Sequence, residues 1–203
     1  MPETSAPANA ASRRDPRLDV FRGIALVMIF INHVPGTIFE LATTRNFGFS
    51  DAAEGFVIMS GVAAGLAYSP ALREGLHWSA VGRIWHRAWV LYLVHLLTTV
   101  LAIGVVAAGA MWLGTGRMLT LNNFEPIFSQ PLSVQVGIPL LTHQIGYANI
   151  LPMYAVMLIA APFAIVAALR WPLWLLAGSV ALWALAGMRG INLPNFPNAG
   201  GWF

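Results

Sequence analysis

Arg22 and His33 lie eleven residues apart and bracket an apolar run, Ile24 to Ile31, of only eight. That separation is close to three turns of an α-helix. Both side chains therefore leave nearly the same face, about 16 Å apart along the axis. A guanidinium grips phosphate or carboxylate through its fork of N–H donors. An imidazole exchanges a proton near neutral pH, so a hydroxyl arriving at His33 from the outer side would meet a general base. Asp51 and Glu54 form a second group, three residues apart on one face at the start of another apolar stretch. An acid at that level would orient the imidazole and stabilise its protonated form. Each residue also has a plainer role. Arg22 can snorkel to headgroups or pair with Asp19 one turn earlier. His33 can be an interfacial ring with satisfied nitrogens, and Asp51 can cap a helix. Glu54 has no such duty. Arg83 and Arg87, one turn apart, either extend an anion site or fix topology.

The elements that must hold these residues are membrane helices. The chain is 58% hydrophobic and 9% charged, with a mean hydropathy of +0.69, far from the balance of a soluble domain. It has no cysteine, which excludes disulfides and thiolate metal sites. Its basic charge is all arginine, spread along an apolar chain. That pattern fits topology determinants rather than a nucleic-acid footprint. Eight tryptophans suit interfacial belts and bundle packing.

Residues 1–16 read as a disordered cytoplasmic tail, rich in Ala, Pro, Ser and Asn. Residues 17–203 read as an all-α, polytopic bundle of about five helices, near 18–39, 51–69, 87–113, 148–169 and 172–188. Pro70 is expected to stop the second helix, and Arg170-Trp171-Pro172 makes the last two antiparallel neighbours. With the N-terminus cytoplasmic, Arg45, Arg117 and Arg189 fall outside and the other eight of the eleven arginines inside. Residues 114–147 then form a long outer loop suited to a lid or a substrate-facing surface. The closing residues 190–203 read as a loop that would lead into another span, as in a piece of a longer protein.

Some candidates fall away. His95 and His143 lack metal-ligand spacing, so no metal is expected. Ser60 is expected to bond the carbonyl four residues back, on a helix whose Gly55, Gly61 and Gly65 allow close packing. His77 and His86 read as surface groups. Three classes remain: an acyl-transfer enzyme, a transporter whose ionisable residues line a path, and a non-catalytic membrane subunit. No inverted repeat accompanies the transporter reading, since the Arg–His arrangement occurs once.

Leu18-Asp19-x-x-Arg22-Gly23 with His33 resembles the first helix of the acyltransferase-3 superfamily of membrane O-acyltransferases. Phe56-Val57-Ile58-Met59-Ser60-Gly61 and the stretch from Arg83 to Tyr92 resemble that superfamily as well. A closer resemblance is to the OpgC family. It is carried by Arg14-Asp15-Pro16-Arg17-Leu18-Asp19, Ile31-Asn32-His33-Val34-Pro35-Gly36 and Phe47-Gly48-Phe49-Ser50-Asp51-Ala52-Ala53-Glu54. Ile150-Leu151-Pro152-Met153-Tyr154 and Leu193-Pro194-Asn195 add to it. The resemblance implies a ten-helix enzyme of the bacterial inner membrane that places succinyl groups on periplasmic glucans. His33 would be the essential histidine and Arg22 its partner. The donor would be an acyl-CoA, by resemblance succinyl-CoA, with no resident cofactor. Arg22, Arg83 and Arg87 would hold its phosphates.

Overall fold

The computed structural model describes residues 15–34, 36–47, 50–146, 148–188 and 191–197. The expected tail therefore lies almost wholly outside the described residues, as does much of the closing loop. Among those described, regular structure is helical and no strand occurs. Two compact units divide the chain, Met1–Ala67 and Tyr68–Phe203, with the boundary inside a helix.

In the first unit, α1 is Pro16–Asn32. Asp15 caps it by accepting from the Arg17 N–H at 3.0 Å, and Pro16 opens it with a preset φ. The helix stops at Asn32 instead of running on to Phe39. Val34 precedes a proline in sequence and so disfavours helical backbone, and Gly36 takes φ +83°. Two short 3-10 turns follow, Ile38–Ala42 and Thr44–Asn46. Thr43 between them is buried, its hydroxyl 2.8 Å from Asn32 Oδ1 and 2.8 Å from the Glu40 carbonyl. That contact ties the returning chain to the end of α1.

The next helix, α2, is Ala52–Leu72 and begins in the first unit. Its buried residues there, Ala52, Phe56 and Ser60, recur every four positions and make one stripe. Pro70 does not end it. Pro70 sits in the last turn, where it removes one N–H from the helix ladder, and Leu72 beyond it is fully buried in a core.

In the second unit, α3 is Trp78–Trp112, 35 residues or about 52 Å. It starts nine residues before the expected Arg87. Ala80, Val81, Ile84 and Ala88 continue a buried stripe through the arginine-bearing stretch, leaving Arg83 and Arg87 on the exposed side. The segment expected as a long outer loop, suited to a lid or a substrate-facing surface, holds two short helices, α4 (Glu125–Ser129) and α5 (Pro131–Gly137), each with a proline in its first turn. They are followed by α6, Ile150–Arg170, and α7, Pro172–Gly187. The core is Leu72, Ala80, Ile84, Ala88 and Leu158. Pro162 removes one donor from the α6 ladder, and three residues earlier the Ile159 carbonyl accepts the Trp85 indole N–H at 3.1 Å.

Three helices, α2, α3 and α6, are long and apolar enough to cross a membrane; α7 is apolar but shorter. The chain is an all-helical membrane protein.

Candidate functional site

The first unit carries the site. Arg22, on α1, is mostly withdrawn from solvent and meets Asp19 at 3.9 Å, the long edge of an ion pair. Its guanidinium carbon lies 5.3 Å from the centre of the Phe56 ring, within reach of a cation–π attraction. Its Nε is buried and has no hydrogen-bond partner among the described residues. A desolvated cation with one distant carboxylate and an unused donor is under-compensated, a state that an incoming anion relieves.

His33 follows the last residue of α1, and its backbone N–H still bonds the Ile29 and Phe30 carbonyls, each at 3.1 Å. The end of the helix thus holds its ring at an exposed position. Asp51 interacts electrostatically with that ring. Its Oδ1 also accepts from the N–H groups of Ala53 at 2.8 Å and Glu54 at 3.2 Å, the capping role open to it. One carboxylate therefore starts α2 and also acts electrostatically on the histidine. Glu54 is exposed, and its carboxylate makes no hydrogen bond or ion pair among the described residues.

Of the expected site residues, Asp51 is near enough to His33 for their charges to interact, and Arg22 leaves nearly the same face of α1 as His33. Arg83 and Arg87 belong to the second unit, exposed and one turn apart on α3. Ser60 departs from expectation. It is buried and its hydroxyl has no hydrogen-bond partner among the described residues, so it does not bond the carbonyl four residues back. It lies one turn from Phe56 on the stripe that Arg22 approaches. The signal for it was the Phe56 to Gly61 stretch, which gave the residue type but not its unused donor.

A family model described as OpgC protein matches residues 14–203. The chain belongs to the OpgC family. That membership supports a role in modifying glucans by acyl transfer, and hence a transferase. No curated protein and no solved structure matches the chain.

Proposed function

We propose that the chain is the part of an inner-membrane O-acyltransferase that carries its base and a donor-binding arginine. It moves an acyl group, succinyl by resemblance, from a cytoplasmic acyl-CoA to hydroxyls of a periplasmic glucan. The N-terminus is cytoplasmic, so Arg22 stands toward the donor side and His33 at the acceptor side. The observation that supports this reading is the His33–Asp51 pair at one end of a helix whose other end holds an under-compensated arginine.

The chemistry follows from the groups. The His33 imidazole removes the proton from a sugar hydroxyl, and the oxygen attacks the thioester carbonyl. Asp51 stabilises the imidazolium that forms. The carbon–sulfur bond breaks, the proton passes from the imidazolium to the departing thiolate, and an ester remains on the glucan. Glu54 assists at the same rim. Arg22 binds donor phosphate through its fork, and the exposed Arg83 and Arg87 of the second unit offer phosphate ligands of their own. Coenzyme A carries its phosphates and its thioester at opposite ends of an extended arm. A separation of about 16 Å between Arg22 and His33 therefore suits a donor that threads inward along α1.

The test is acyl incorporation into glucan in cells carrying the full-length protein, compared with His33→Ala and Arg22→Ala at matched membrane levels. His33→Ala is expected to lose acylation and keep donor binding. Arg22→Ala is expected to weaken donor binding. Normal acylation by His33→Ala sinks the assignment. Loss of activity in Arg22→Ala with donor binding unchanged removes the role given to Arg22.

A further inference from the structure

The second unit buries polar side chains that it does not use. His95 and Thr99, one turn apart on α3, are both buried. Neither ring nitrogen of His95 nor the Thr99 hydroxyl has a hydrogen-bond partner among the described residues. Thr98 beside them is satisfied within the helix, its hydroxyl 2.9 Å from the carbonyls of Val94 and His95. Residues 139–146 return to this stretch of α3. The Tyr92 hydroxyl donates to the Pro139 carbonyl at 2.9 Å. Further along the chain, the Ala148 backbone stands beside the His95 ring, short of hydrogen-bond geometry. Between those two attachments lie His143 and Gln144, both buried. Burial lowers the pKa of His143, so its ring is neutral at neutral pH. Its Nε2 donates to the Asn123 carbonyl at 3.2 Å, which makes Nδ1 an acceptor. Gln144 Nε2 donates to the Leu141 carbonyl at 3.1 Å, which leaves Oε1 as a second acceptor. Both acceptors are buried without a partner among the described residues.

Polar atoms left unpaired in a protein interior are costly and mark a missing partner. The inventory of these four side chains selects its chemistry. His143 Nδ1 and Gln144 Oε1 demand donors, while the Thr99 hydroxyl and the two His95 nitrogens give and take. A phosphate, a carboxylate or a thioester carbonyl brings acceptors only. None of the four carries a formal charge to compensate an ion. A neutral hydroxyl both gives and takes, and fits. The same segment holds backbone strain. Asn122, Asn123 and Leu141 are the non-glycine residues with positive φ among those described, at 53°, 63° and 59°. Leucine seldom adopts that region, and such strain gathers at clamps and switches. The unpaired atoms do not reach solvent, so residues 139–146 must lift before a ligand enters. Lifting hydrates those atoms and frees Leu141 from its strained φ.

We infer that residues 139–146 form a strap over a saccharide subsite. His143 Nδ1 and Gln144 Oε1 accept from sugar hydroxyls there, and Thr99 and His95 complete the set. The choice of a sugar rests on the acyl-transfer reading, in which a glucan is the hydroxyl-rich molecule on the outer side. In the direction that reading gives the chain, α6 begins on that side, two residues past Ala148.

The probe is a linear glucose tetrasaccharide. It is titrated calorimetrically into full-length protein, in a detergent without a sugar headgroup and with no acyl donor present. Saturable binding is expected. The permethylated tetrasaccharide keeps its oxygens as acceptors but has lost its O–H donors, and should bind about tenfold more weakly or not at all. Thr99→Val and Gln144→Leu should each weaken binding about tenfold, the worth of one hydrogen bond. Thr99→Val exchanges an unpaired buried hydroxyl for a methyl of the same shape, so it should melt no earlier than wild type. It therefore remains informative if Gln144→Leu does not fold. Amide hydrogen exchange across residues 139–146 should slow when the sugar binds. Absence of binding overturns the proposal and leaves water as the partner of the unpaired atoms. Equal binding of the permethylated sugar, wild-type binding by the folded variants, or unchanged exchange at the strap overturns it as well. The two readings fail separately. Sugar binding together with normal acylation by His33→Ala removes the base and keeps the strap. Intact acylation by wild type without sugar binding removes the strap alone.

Discussion

Arg22 poses an energetic question before a catalytic one. A mostly buried guanidinium stands beside a carboxylate at 3.9 Å and an aromatic ring, and its Nε has no hydrogen-bond partner among the described residues. Replacing such a charge by an apolar side chain of similar size is often neutral or stabilising. Arg22→Met is therefore expected to melt no earlier than wild type while its donor KM rises. Thermal unfolding in detergent and donor titration separate the two effects. Earlier melting with an unchanged KM would make Arg22 a structural residue. His143 raises a different question. It lies in the segment between α3 and α6, where burial lowers its pKa and a hydrogen bond to the Asn123 carbonyl opposes the shift. The folded ring thus stays neutral at pH values where the unfolded ring, with a pKa near 6.5, takes up a proton. Stability from this residue is complete above that pH. It declines as pH falls through 6.5 toward the folded value. His143→Gln should melt with a flatter pH profile below neutrality than wild type, and equal slopes would show that His143 does not contribute.

At the level of elements, the apolar runs and their breakers were readable, and their limits were not. Pro172 marks a helix start that the structure keeps, because a fixed φ acts locally, whereas the cap at Asp15 starts α1 at Pro16, inside the stretch expected as tail. Helix ends set by tertiary packing were not readable. The extension of α2 through Pro70 depends on Leu72 finding a core, and the early start of α3 depends on Ala80 and Ile84 facing that core. The site shows the same division. Its residue types and the face shared by Arg22 and His33 follow from helical spacing. The Thr43–Asn32 contact and the unpartnered Ser60 hydroxyl depend on how segments return, which no local pattern encodes. The segment between α3 and α6, expected as loop, is organised around Gly137. Its carbonyl accepts from the Thr142 N–H at 2.9 Å and the His143 N–H at 3.0 Å. A Cβ on Gly137 would lie 2.8 Å from His143 Cβ and 2.9 Å from the Phe196 carbonyl oxygen. Gly137→Ala must push backbone apart and should cost about 1–3 kcal/mol. A lower Tm and faster proteolysis between α5 and α6 would show it, and an unchanged Tm would mean that the neighbours yield freely.

For the whole molecule, direction across the membrane decides whether the proposed chemistry can work. Arg22 and His33 serve a donor and an acceptor in different compartments only if α1 runs from the cytoplasm outward. The arginine bias is the physical argument for that direction, because basic residues near short loops resist translocation. The chain holds no cysteine, so a single introduced thiol reports its own side without background. Thr44 and Leu132 are exposed in segments assigned to the outside, and Glu74 is exposed in the turn between α2 and α3, assigned to the inside. Thr44→Cys and Leu132→Cys should react with a membrane-impermeant maleimide on intact spheroplasts. Glu74→Cys should react only after the membrane is opened. The reverse pattern would place His33 on the same side as the acyl-CoA pool. The base would then face the donor and not the glucan, and the division of labour along α1 would have to be abandoned even if His33 proved essential.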